Sequence, residues 1–438
     1  MKPFVVIYNV FLFMGVILGF PFILLAVFMS KKRRKTIFPR LGLPPLSAKI
    51  PMRESAYADR RPIWIHALSV GEVRSAVGLI GGIKDHFGHY PILFSVSTRT
   101  GFDIAHDLLE ETVHGIFYFP YDLPFLVKRA IARMDPIAVM IVESDIWPNF
   151  LYEAKKRSIS IILVNARMSD RSFRRYRRVP YIAQFMYSFF SAICTQSERD
   201  AQRFLGLGIS KDKIFAAGNV KFDRSDALVS DLEAAEIKKA IKLWPETRVF
   251  LAGSTHQGEE TIVFDSFLRL KRSHPELVML IAPRDPSRGE MVSRLARSAG
   301  LKDVIWSAVN SVENVGRWDV MIVDTLGELA RLYAIADIAF IGGSLVKEGG
   351  HNPLEPAAYG KPVLFGPDMS DFKAISDMMI RGGGAVKVES ANALYEAVDR
   401  LLRYPSQAET MGTHAFRIFS ENKGAVEKTL RVLEKFVL

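Results

Sequence analysis

With 438 residues, 49% of them hydrophobic and 24% charged, the chain is globular in composition and long enough for two or more domains. A net charge of +11 and a pI near 9.5 call for an anionic partner, whether nucleic acid, membrane or substrate. The single cysteine, Cys194, excludes an intrachain disulfide, argues against a thiolate metal cluster and fits a reducing compartment.

The first element is apolar. From Pro3 to Ser30 no residue is charged, a run long enough to cross a bilayer as a helix. Lys31, Lys32, Arg33, Arg34 and Lys35 follow, and the positive-inside tendency places this end, and all that follows, in the cytoplasm. A cleaved signal peptide is disfavoured by the length of the run, the basic cluster on the wrong side and the lack of a small-x-small cleavage site. A monotopic helix dipping into one leaflet is the main rival to a single-pass anchor.

Residues 36–60, with Pro39, Pro44, Pro45 and Pro51, read as an irregular connector. Short apolar runs then alternate with helical stretches. Strands are expected at 62–67, 91–97, 115–119, 138–144, 159–167 and 191–196, with helices at 71–85 and from about 101. A second series begins after Asn219, with strands at 249–254, 277–283, 318–324, 337–343 and 362–366. Helices at 257–272, 286–298, 327–335 and 370–380 separate them. Buried strands alternating with helices imply parallel sheet covered on both faces. The chain is therefore expected to be α/β, with two doubly wound, Rossmann-like units facing a cleft. The divisions are 1–35 for the anchor and its basic flank, 36–222, 223–415, and a terminal helical stretch, 416–438, expected to pack back on the first unit.

In open α/β sheets ligands bind beyond the carboxyl ends of strands, so residues just after strands carry the chemistry. Ser69-Val70-Gly71-Glu72 follows the first strand, and a carboxylate there can accept a proton from a bound hydroxyl or simply sit in a first helical turn. Ser97-Thr98-Arg99-Thr100-Gly101 follows the second and either caps a helix or binds an anionic group. Glu143 and Asp145 follow the fourth; two acids there call for a polar cavity, with a capping loop as the plain alternative. Between Arg167 and Arg178 six arginines, Arg174 and Arg175 among them, interleave with Phe173 and Tyr176. Nucleic acid, lipid headgroups or a solvated helix face would each explain them, and the anchor favours lipid.

In the second unit Gly253-Ser254-Thr255-His256, Pro283-Arg284 and Asp324-Thr325-Leu326-Gly327-Glu328 each follow a strand. Arg284 can reach a phosphate, and Glu328 can take both hydroxyls of a ribose. The stretch 341–367 carries Gly342-Gly343 and Gly349-Gly350 before His351-Asn352-Pro353. Glycines there admit close approach of backbone to a ligand. Asn352 reads as an N-cap, Pro353 as the first helical residue and Glu355 as a first-turn acid, so the turn suits an anion. His66, His256 and His351 lack ligand spacing, and neither a Walker A pattern nor a G-x-G-x-x-G after a strand is present.

Taken together, SVGE, ESDIWPN, NARMSDRSFRRYR, GNVKFD, GSTHQGEE, APRDPSR, DTLGEL and GGSLVKEGGHNPLEPAAYGKPVLFGP resemble the motifs of the 3-deoxy-D-manno-octulosonate (Kdo) transferases, in the right order up to about residue 425. The resemblance implies a membrane-anchored GT-B glycosyltransferase of lipopolysaccharide inner-core synthesis at the inner membrane. It implies CMP-Kdo as donor, a lipid A precursor as acceptor, no nucleic-acid partner, and no cofactor or tightly bound metal. By motif, Glu72 resembles the general base and Glu143 a second essential carboxylate. Lys221, Ser254, Arg284, Gly327, Glu328, Gly343, Asn352 and Glu355 fall in the donor set, and Ser69, Gly71, Thr98, Thr100, Arg174 and Arg175 in the acceptor set. Asp145, Asp285 and Asp371 depart from the family pattern, where Glu, His and Asn are usual. A UDP-sugar-dependent GT-B enzyme is the alternative; an epimerase of the same fold would need no anchor.

Overall fold

The computed structural model describes residues 2–29, 31–41, 60–143, 146–223, 228–244, 246–311 and 317–437. Most of the connector and Asp145 lie outside them. Residues 36–40, read as irregular, continue the helix Lys31–Arg40, with Pro39 one residue before its end.

The chain divides into two compact units, residues 1–225 with 423–438, and residues 226–422. The first holds β1 Ile63–Ala67, β2 Ile92–Val96, β3 Gly115–Tyr118, β4 Ala138–Val142, β5 Ser160–Ala166, β6 Ala192–Thr195 and β7 Ile214–Ala216. All are parallel, in the order β3-β2-β1-β4-β5-β6-β7. Alternate residues of the strands feed opposite cores. Ile63, Ile65 and Met140 pack with Val73 and Leu79 on one face. Trp64, Val139 and Ile141 pack with Phe119, Phe150 and Ile193 on the other. Full burial on both faces is why these strands read as unbroken apolar runs rather than alternating ones.

The second unit holds β8 Arg248–Thr255, β9 Leu277–Pro283, β10 Asp303–Ile305, β11 Val320–Ile322, β12 Ile338–Ile341, β13 Val363–Phe365 and β14 Ala385–Lys387. These are also parallel, ordered β10-β11-β9-β8-β12-β13-β14. β7, β10 and β14 were not expected. Each has three residues at or near a sheet edge, too few to show a period.

The last helix, Ala425–Val437, belongs with the first unit. Ala425, Leu430 and Leu433 join the core behind β1, and Gly82 leaves room for it: a Cβ there would lie 2.8 Å from Val426. Its start is fixed by Asp223 of the GNVKFD block, whose carboxylate accepts from the N–H of Gly424 (2.7 Å) and Val426 (2.5 Å). The preceding helix, Pro405–Glu421, runs through residue 416 and stays with the second unit.

One glycine sets the packing of the second sheet. A Cβ on Gly342 would stand 2.4 Å from the Ser254 carbonyl oxygen and 2.6 Å from Thr255 Cα. Backbone cannot yield as a flexible side chain can, so Gly342→Ala is expected to cost about 1–3 kcal/mol, read as a lower denaturant midpoint of the full chain.

Candidate active site

In the first sheet the strand order reverses between β1 and β4, which are hydrogen-bonded neighbours. Ligands of doubly wound sheets lie at such a reversal, beyond the carboxyl ends. Glu72 follows β1 and Glu143 follows β4. Both candidate acids therefore stand at the one place where helices diverge to opposite faces.

Glu72 lies in the first turn of the helix Val70–His86 and is 7% exposed. Its Oε2 accepts from the Leu68 N–H at 2.5 Å, which turns the carboxylate back toward the end of β1. Ser69, the N-cap, makes no side-chain capping bond, and nothing lies within 4 Å of a Cβ built on Gly71. The mouth of this helix is thus open beside the acid. Thr98 is used locally: its hydroxyl accepts from Gly101 N–H at 3.1 Å. Thr100 is exposed.

Glu143 ends β4 in a left-handed backbone conformation, φ 66°, which costs a residue with a Cβ about 1 kcal/mol or more. Its N–H donates to Val164 O at 2.8 Å, and its side chain is only 11% exposed. Two cations flank the carboxylate, Lys221 Nζ at 3.6 Å and Arg167 Nε at 3.9 Å. Lys221, expected beside Ser254 in the donor set, lies in the first unit and pairs with Glu143. Arg174 and Arg175 are exposed on the helix Asp170–Arg177, which follows β5 at the same edge; Ser169 caps that helix.

A buried polar cluster holds the start of the helix Pro148–Lys156. Asp122 accepts from Asn149 N–H at 3.0 Å and Phe150 N–H at 2.8 Å. Burial pushes the Asp122 carboxyl up to about 6. A raised folded-state pKa means that this group's stabilising contribution is complete below the usual carboxylate range and is lost as pH rises through about 6. Between pH of about 7.5 and about 5, wild type is therefore expected to gain on the order of 1–1.5 kcal/mol over Asp122→Asn. Unfolding midpoints of both proteins across that range check it. Asp122 lies in none of the sequence blocks and Asn149 only closes ESDIWPN; tertiary packing brings them together.

In the second sheet the reversal lies between β8 and β12. Along its carboxyl edge the sheet order sets Glu328 after β11, Arg284 after β9, Ser254 at the end of β8 and Gly343 after β12. Ser254 adopts φ 57°, and the β8–β9 register slips between Gly253 and Thr255. Arg284 is half-buried, its N–H bound to Thr255 O at 2.9 Å. Among the described residues its guanidinium forms no hydrogen bond or ion pair, so its fork of donors is available to an anion. Gly327 adopts φ 90°; Glu328 lies 3.5 Å from Arg331.

The glycine-rich turn differs from expectation in two ways. The helix begins at Leu354 and lasts one turn, Leu354–Ala357, so its dipole is small. Asn352 still serves it, its Oδ1 accepting from Leu354 N–H at 3.1 Å, and Glu355 lies within the turn. The amides of the turn are also already engaged. Fully buried Glu259 accepts from Gly343 N–H (2.6 Å), Ser344 N–H (3.0 Å), Leu345 N–H (2.8 Å) and His256 N–H (2.9 Å). Gly343, φ 67°, thus has no free N–H to offer, and its missing Cβ makes room for a histidine: a Cβ there would lie 3.1 Å from the His351 ring. His256 and His351, distant in sequence, meet with Nε2 atoms 2.8 Å apart.

Two doubly wound parallel sheets after an apolar N-terminal helix make this a protein of GT-B architecture. A UDP-GlcNAc 2-epimerase from Neisseria meningitidis, solved with UDP-GlcNAc, shares the fold with a TM-score of 0.56 at 14% identity, covering 85% of this chain and 100% of that one. Residues 35–224 match the family described as 3-Deoxy-D-manno-octulosonic-acid transferase (kdotransferase). The 3-deoxy-D-manno-octulosonic acid transferase of Haemophilus influenzae is 35% identical over 86% of this chain and 87% of its own. That of Rickettsia bellii is 31% identical over 86% and 88%. The chain belongs to the Kdo transferase family, and it is a glycosyltransferase.

Proposed function

We propose that this enzyme transfers Kdo from CMP-Kdo to a hydroxyl of a lipid A precursor, with inversion, at the cytoplasmic face of the inner membrane. The first unit takes the acceptor and the second the donor. Glu72 removes the proton as the acceptor oxygen attacks the anomeric carbon of Kdo. The carbon–oxygen bond to the phosphate breaks, and CMP departs with the electron pair. Charge on the departing phosphate is met by Arg284, and Glu328 takes the ribose hydroxyls. Glu143, held by Lys221 and Arg167, orients the incoming sugar. Arg174 and Arg175 offer cations to the acceptor's phosphates.

The observation that carries this reading is the position of Glu72, a carboxylate at the strand-order reversal beside an open helix mouth. Purified full-length enzyme should convert a lipid A precursor and CMP-Kdo to a product heavier by one Kdo unit or more, read by mass spectrometry. Product from UDP-sugars and none from CMP-Kdo would replace the donor assignment.

A further inference from the structure

The helix Lys2–Met29 does not stand clear of the first unit. Phe4 stacks on Phe185 with ring centroids 4.9 Å apart. The side-chain amides of Asn9 and Asn149 exchange hydrogen bonds of 2.9 and 2.7 Å. Shielded positions recur at 5, 8, 9, 12, 16 and 19, one face of a helix, while Phe11, Ile17, Leu18 and Phe22 are 65–74% exposed on the other.

The chain then comes back. After the helix Lys31–Arg40, the Arg40 carbonyl accepts from Tyr121 N–H at 3.3 Å. The Arg40 guanidinium donates to Phe119 O at 2.9 Å and lies 4.1 Å over the Tyr121 ring. Tyr121 is the neighbour in sequence of Asp122, whose carbonyl holds Asn149 at 2.6 Å. The apolar segment therefore leaves and rejoins one face of the same unit at adjacent points.

A single crossing is incompatible with these contacts. A spanning helix sets its two ends on opposite sides of a hydrocarbon core about 30 Å thick. Here both Phe4 and Arg40 touch a folded unit that stays on one side. Returning from the far side would also need more chain than one ten-residue helix, which rises only about 15 Å. Asn9 alone in lipid would carry an unmet amide, a cost that Asn149 removes.

We infer that the N-terminal helix is monotopic. It enters the lipid from the side of the catalytic units, its exposed apolar face takes up acyl chains, and the N-terminus stays on that side. The basic run 31–35 then lies where anionic headgroups of that leaflet complement it. The inference rests on the membrane association proposed above but not on the donor or acceptor.

The test uses the full chain in native membranes. With Cys194→Ala, which removes the one, buried, native thiol, Phe4→Cys and Phe185→Cys are combined and treated with a membrane-permeant bismaleimide. A cyclised chain of altered mobility is expected, absent from either single variant. Phe4→Cys should also react with an impermeant maleimide in inverted vesicles and not in intact spheroplasts. Absence of the cross-link, or labelling from outside the spheroplasts, overturns the inference. Recovery of the chain in the soluble fraction overturns it together with the membrane reading, while the Kdo-transfer assay still stands or falls alone.

Discussion

Glu72→Gln lowers kcat by about 10²-fold or more while leaving the KM for either substrate within a few-fold, because a general base contributes on the order of 10²–10⁴ to the rate. Glutamine is the informative replacement. Glu72 Oε2 accepts from Leu68 N–H, and an amide oxygen can take that bond over, so the turn after β1 keeps its form while the proton acceptor is lost. Alanine would remove the anchor as well as the base. A Glu72→Gln enzyme with near-normal kcat would remove the acid from the mechanism. A variant with a lowered unfolding midpoint and a raised KM would instead assign Glu72 to the scaffold.

The second large effect is expected at Arg284. Its guanidinium is unengaged by any described residue, the strand order sets the residue between Ser254 and Glu328 on the proposed donor edge, and a charge-assisted hydrogen bond there is worth about 1.5–3 kcal/mol. Arg284→Ala should therefore lower kcat/KM for CMP-Kdo by roughly 10- to 100-fold. Arg284→Lys should recover part of that, since it restores the charge but not the planar fork. Because the side chain supports nothing else described, the unfolding midpoint should not move. Unchanged kinetics in Arg284→Ala would transfer the phosphate to another cation.

Much of the fold was legible in the sequence, for identifiable reasons. The long inner strands, β1, β4, β5, β8 and β9, are buried on both faces, so their side chains announce them. The strand-end positions of Glu72, Glu143, Arg284 and Glu328 could be read because a sequence shows where buried strands end. The edge strands were hidden by their brevity. The partners of the candidate residues were hidden by distance: Asp122 reaches Asn149 across 27 positions, and His256 reaches His351 across 95. Lys221 was grouped with Ser254 in the donor set, and its ion pair with Glu143, far away in sequence, leaves no local signal. Glu259 was visible in GSTHQGEE, but only as an acid in a first helical turn. That it is wholly buried, with its oxygens turned to a loop 84–86 residues away, is a tertiary fact.

Glu259 has a wider meaning for how the enzyme waits between turnovers. A glycine-rich turn that relied on a nucleotide for its hydrogen bonds would slacken each time the product left. Here a resident carboxylate satisfies those amides, so the turn keeps its shape whether or not the proposed nucleotide is bound. On the proposed donor assignment, each new sugar nucleotide would meet a finished surface and spend none of its affinity on assembling one.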